Sequence, residues 1–324
     1  MRRLSASLKP RRMDLASTPA AVPRTLAMAF MLALSASAAP AQDRGTLDPK
    51  SLPALAHPAD PATPAKELFG RRSAPVSMAA RSIGSYARGC LAGAVALPID
   101  GATWQVMRVS RNRMWGHPHL IAFLERFSKA VPAINGWPGL MVGDIAQPRG
   151  GPMLTGHASH QIGLDADIWL TPMPDHRLSR AEREEISATN VVRADGLDID
   201  PTTWTRQHRL LIQAAAEQPE VARIFVNPAI KKALCREATG DRDWLTKVRP
   251  MFGHNYHFHI RISCPAGEEG CADQDPPPAG DGCGEDLARW FRPAMLHPRP
   301  GGKPRPPLTM AQLPVECRRV LASP

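Results

Sequence analysis

Five of the chain's eleven histidines fall in two short windows, GHASHQIGLDADIW (residues 156–169) and GHNYHFHIRI (residues 253–262), beside two aspartates. Imidazoles and carboxylates at this density are the donor set of a zinc-like metal. In GLDADIWL, Leu164, Ala166, Ile168 and Leu170 are apolar while Asp165, Asp167 and Trp169 point the other way, the two-residue period of a half-buried strand. In YHFHIRI the same period puts Tyr256, Phe258, Ile260 and Ile262 on one face and His257, His259 and Arg261 on the other. An antiparallel pairing of the two segments would bring Asp167 to the His257/His259 pair, with His160 reaching in from the loop before its strand. Three N/O ligands plus a water describe a catalytic zinc, because structural zinc sites close with four protein ligands and favour cysteine. One such histidine alone suits an ordinary hydrogen-bonded polar group; five on correctly alternating faces point to a shared site.

The elements that must position these residues read as an α+β domain. A strand is expected around Trp104–Val109 and another over residues 222–226 (ARIFV follows Val221). A helix near 117–131 carries Leu120, Phe123, Leu124, Phe127 and Val131 on one stripe. Ser179 and Glu182 have the spacing of a capping box, so a second helix starts there. Helices near 203–217 and 228–235 follow, the latter with Asn227 as N-cap and Pro228 in its first turn. The order lacks βαβ regularity. Residues 274–284 and 293–307 are rich in Pro and Gly and read as surface loops. HExxH, GxSxG and glycine-rich phosphate loops are absent from the sequence, which removes zincin, serine-hydrolase and nucleotide readings.

Residues 25–36 (TLAMAFMLALSA) form a short apolar run behind six basic residues and ahead of small ones. This run is too short to span a bilayer and reads as a secretory signal over residues 1–41, cleaved after Ala38 or Ala41, with no lasting membrane anchor. Six Lys/Arg and one Asp leave with it, so the formal charge falls from +10 to about +5. No basic face interleaved with aromatics is evident, and a nucleic-acid partner is not expected. Residues 42–80, rich in Pro, Ala and Ser without periodicity, read as a linker, and residues 81–324 as the catalytic domain. The six cysteines, Cys90, Cys235, Cys264, Cys271, Cys283 and Cys317, form no CxxC, and an even number in an exported chain suggests disulfides. Counting alone leaves about 15 pairings open.

HxxxxxxD (His160 to Asp167) followed by HxH (His257, Phe258, His259) resembles the signature of the LAS metallopeptidases. The longer strings GHASHQxGLDADIW and GHxxHFHxRI are similar to one group among them, the penicillin-insensitive murein endopeptidases. So are IGSYARGCLAGAVALP, WQVMRVSRNRMWGHP, GDIAQPRGGPM, RIFVNPAIKKALC and DWLTKVRPMFGHNYHFHIRISCP, which together span most of residues 80–320. The resemblance implies an LAS-type antiparallel sheet carrying a zinc site, flanked by helices and loops and stapled by disulfides. It implies Zn2+ held by His160, Asp167 and His259, with His257 as the base. His254 and His157 would stabilise the oxyanion or support the ligands, and His157 also matches a residue regarded as a metal ligand. Asp195 and Asp198, in ADGLDID, match an accessory metal position and equally suit an acidic loop. Asp165 suits a hydrogen-bond acceptor for a ligating imidazole. Arg149, before the Gly150-Gly151 pair, suits a cation for a substrate carboxylate beside a moving loop, although an ordinary turn explains the glycines equally well. The implied disulfides are Cys90–Cys317, Cys235–Cys283 and Cys264–Cys271. The implied activity is hydrolysis of D-alanyl to meso-diaminopimelyl cross-links in peptidoglycan, in the periplasm. A D,D-carboxypeptidase or dipeptidase, and a non-catalytic zinc-dependent wall-binding module, are the alternatives.

Overall fold

The computed structural model describes residues 44–297 and 306–324; the signal peptide expected at residues 1–41 lies outside them. The segment expected as a linker carries helix α1 (Ala65–Phe69). Its Ala65 and Phe69 are buried against Val76, Ile83, Ala92, Leu313 and Val320 and the Cys90–Cys317 bridge. One aromatic among prolines and alanines was enough to seat the segment, a signal that average composition dilutes. A hairpin follows, β1 (Arg81–Ser85) and β2 (Arg88–Ala92), in the stretch with no expected element. β3 (Val95–Ala96) pairs with β5 (Trp115–Gly116), and between them β4 (Trp104–Val106) opens the main sheet.

That sheet has six strands in the order β4, β6 (Leu140–Val142), β7 (Asp165–Trp169), β10 (His257–Ile262), β8 (Val221–Val226), β9 (Val248–Pro250). Its centre is antiparallel, from β6 through β7 and β10 to β8, and its outer pairs β4/β6 and β8/β9 are parallel. The alternation in the two histidine-bearing segments therefore becomes the middle of the sheet. Ala166, Ile168, Phe258 and Ile260 enter the core together with Ile224 of β8. Across β7 and β10, His259 stands opposite Asp167, His257 opposite Trp169 and Arg261 opposite Asp165.

Helix α2 (Pro118–Asn135) buries its stripe of Leu120, Phe123, Leu124, Phe127 and Val131 in the same core. It starts on Pro118, after a His117 side chain that accepts from the His119 amide, and runs past the expected end to Gly136 at φ 80. α3 (Arg180–Glu185) has the Ser179/Glu182 capping box. α4 (Arg206–Ala216) packs on α2, and α5 (Pro228–Glu237) is capped by the Asn227 side chain. The bridge Cys90–Cys317 ties β2 to the C-terminal helix Glu316–Ala322, Cys235–Cys283 ties α5 to the Pro/Gly-rich loop, and Cys264–Cys271 closes the turn after β10.

Candidate metal centre

The polar faces of β7 and β10 are not open to solvent: Asp167, His257 and His259 are all buried. The segment from Asp144 to His160 folds back over them and contributes two further imidazoles. His160, in the loop before β7, adopts φ 65, a conformation uncommon outside glycine. Its backbone amide donates to Asp165 Oδ2 at 2.9 Å and its Nδ1 donates to the Ile145 carbonyl at 2.6 Å. These bonds hold the unusual backbone and leave Nε2 as an acceptor facing Asp167. His259 is turned in the complementary way. Its Nε2 lies 3.0 Å from Asp165 Oδ1, which leaves Nδ1 on the inner side.

Three donor atoms thereby converge. His160 Nε2 is 3.1 Å from His259 Nδ1, and both lie 3.4 Å from Asp167 Oδ1. Bonds of about 2.0–2.1 Å to a tetrahedral zinc put neighbouring donors about 3.3 Å apart, so the trio has the spacing of one face of such a site. Asp167 Oδ1 is buried and has no hydrogen-bond partner, the state of an atom built for a cation. The residues fit a zinc ion. His157 joins the cluster, with a donor atom of His157, His160 and Asp167 each within 4.8 Å of the others. Its Nε2, however, is closer to Asp144 Oδ2 at 2.8 Å than to Asp167 Oδ2 at 3.5 Å.

His257 adjoins the trio. Its Nε2 is 3.5 Å from Asp167 Oδ1, and both ring nitrogens are buried without a hydrogen bond. Burial pulls its pKa down to about 4 despite Asp167, with the other imidazoles adding to the fall. The His254 ring lies tilted against that of His257 at a centroid distance of 4.8 Å, and burial with its imidazole neighbours lowers its pKa to about 3. Burial also opposes the charge on His259, but Asp165 and Asp167 override it and raise that pKa to about 9. Asp167 is held well below the carboxylate range, its burial outweighed by His257, His160 and His157. Asp165 is held low against burial by Arg261, which grips it through Nε at 2.8 Å and Nη2 at 3.1 Å.

One expectation is redirected. Arg149 is buried, and its guanidinium donates to the carbonyls of Ala74, Val320, Leu321 and Ser323, so it clamps the C-terminal helix. Asp195 pairs with Arg193, and Asp198 with Lys232 and Arg236. Residues outside the motifs also line the cleft: Arg108, Arg111, Asp144 and Tyr256, beside His157 and His257, around a volume of about 110 Å³. Asp144 is buried between Arg111 (2.6 Å), Arg113 (2.9 Å) and His157. Its one sequence signal is position, an acid two residues beyond the apolar run of β6.

A sequence profile of the family described as penicillin-insensitive murein endopeptidase matches residues 82–322. Proteins of that name are similar over most of their length. The Haemophilus influenzae one is 48% identical over 245 residues, covering 76% of this chain and 84% of its own. That of Klebsiella pneumoniae is 45% identical over 249 residues, 77% of this chain and 89% of its own. That of Yersinia enterocolitica is 46% identical over 247 residues, 76% and 87%. With the loop before β7 and the two central strands bringing His160, Asp167 and His259 to one point, and with the family profile matched almost from β1 to the C-terminal helix, the chain belongs to the penicillin-insensitive murein endopeptidase family.

Proposed function

We propose that the chain is a zinc metallo-endopeptidase that hydrolyses the peptide cross-links of peptidoglycan, at D-alanyl to meso-diaminopimelyl bonds. The observation that carries this reading is the convergence of His160 Nε2, His259 Nδ1 and the partnerless Asp167 Oδ1 at 3.1–3.4 Å. Zn2+ held by these three residues supplies a Lewis acid that acidifies water toward neutral pH and polarises a carbonyl. His257, neutral at physiological pH and free at both nitrogens, accepts a proton from the attacking water and returns it to the leaving amine. Asp165 fixes the ring of His259 through Nε2, and Asp144 holds that of His157 through Nε2. His157, ranked after the three ligands, and His254 are assigned to stabilising a developing oxyanion.

A free imidazole base beside the ligands favours catalysis over a wall-binding module. Three disulfides, with no free cysteine among the described residues, suit an oxidising compartment, and we place the activity in the periplasm. No helix among the described residues is long and apolar enough to cross a membrane. The test is digestion of purified cross-linked muropeptide dimers, with and without a chelator. Dimers should fall to monomers, the chelator should stop the reaction, zinc should restore it and penicillin should leave it unchanged. Release of only terminal D-alanine from monomers would assign a carboxypeptidase instead.

A further inference from the structure

Beside the metal cleft lies a second cavity of about 480 Å³ whose cationic wall is Lys50, Arg71, Arg72 and Arg111. No aspartate or glutamate lines it. Arg111 lines both this cavity and the metal cleft, so the two adjoin. Three of the four cations come from residues that precede the family match, which begins at residue 82. The segment bearing them is tied down. The Thr46 amide donates to Ser110 Oγ at 3.0 Å, Arg180 donates to the Leu47 carbonyl at 3.0 Å, and Phe69 is buried. Arg71 is occupied by Glu67 at 2.7 Å, whereas Lys50 and Arg72 stand exposed at the rim.

We propose that residues 50–72 extend the cleft with a subsite for the free carboxylates of a peptidoglycan stem peptide. The proposal deepens the endopeptidase reading and rests on it for the identity of the ligand. The chemistry is that of anion recognition: Arg71 and Arg111 are each paired with a carboxylate, Glu67 and Asp144, so the exposed Lys50 and Arg72 present the positive charge that favours a peptide carrying several unamidated carboxyl groups. Such a peptide, threaded through the cleft, meets Arg111 first and the exposed pair Lys50 and Arg72 beyond it.

The experiment measures binding, not turnover. Calorimetry with an uncross-linked stem-peptide muropeptide should show binding to the full mature chain that weakens as salt rises. The double variant Lys50→Glu/Arg72→Glu should bind roughly tenfold more weakly, the scale for reversing two exposed charges. Lys50→Ser/Arg72→Ser should fall in between and guards against misfolding of the first variant. The same muropeptide with amidated carboxyl groups should bind the wild type weakly and be indifferent to either variant. No binding by the wild type, equal affinity for the amidated ligand, or unchanged affinity in both variants would overturn the subsite. Failure of the endopeptidase reading shows separately, as intact cross-linked dimers despite a carboxylate-dependent affinity.

Discussion

At the scale of single residues, the proposed base differs from the proposed ligands beside it in environment. His257 and His259 lie two residues apart on one strand face, yet His259 Nε2 lies 3.0 Å from the Asp165 carboxylate whereas the nearest carboxylate to His257 is Asp167, 3.5 Å from its Nε2. His257→Ala should therefore keep most of its zinc and lose at least ~100-fold in turnover. Zinc content and kcat measured on one preparation check this, and parallel loss of both would make His257 a ligand. Asp165→Asn should weaken zinc affinity by about 10–100-fold, because the ring of His259 loses its fixed orientation and Arg261 loses its carboxylate. Competition with a chromogenic chelator reads that change, and an unaltered affinity would contradict the role given to Asp165. Alternation alone put Asp165 and Asp167 on the face of the histidines, so these residues were legible in the sequence. Asp144 was not, since its importance comes from Arg111, Arg113 and His157 meeting it only after the segment before His160 has folded over the sheet.

At the scale of elements, strands and helices with strong periodicity were readable, and the turns that aim them were not. β7, β10, β8 and α2 to α5 follow from alternation, stripes and caps. The Gly150-Gly151 pair shows the limit. A mobile loop was one reading of these glycines, but both have positive φ, and a Cβ on Gly150 would meet the Gln161 carbonyl oxygen at 2.0 Å. On Gly151 it would meet the Phe69 ring at 2.3 Å, so the glycines are a close approach of backbone to the core. Gly150→Ala should destabilise the protein by about 2 kcal/mol, from left-handed strain plus the clash. Chemical denaturation gives the number, and stability equal to wild type would restore the hinge reading. Tertiary packing also decided Arg149, whose charge suggested a ligand but whose reach to four carbonyls closes the C-terminal helix onto the domain.

At the scale of the whole molecule, the ends of the domain are bound to each other, and the candidate metal site is held by the sheet between them. Cys90 and Cys317, separated by 227 residues, join β2 to the C-terminal helix beside a core that includes α1. Cys90→Ser should cost some 2–5 kcal/mol of stability while zinc binding persists, because neither cysteine belongs to β7, β10 or the His160 loop. Denaturation of the zinc-loaded protein would detect it, and loss of the metal at full stability would run against this division. The central claim is that one zinc is held by His160, Asp167 and His259. Its most direct measurement is the zinc-to-protein ratio, by elemental mass spectrometry, of the mature chain and of His160→Ala, Asp167→Ala and His259→Ala, each paired with cleavage of cross-linked muropeptides. The geometry predicts about one zinc in the mature chain, with metal and cleavage lost together in each variant; stoichiometric zinc in all three variants would contradict it.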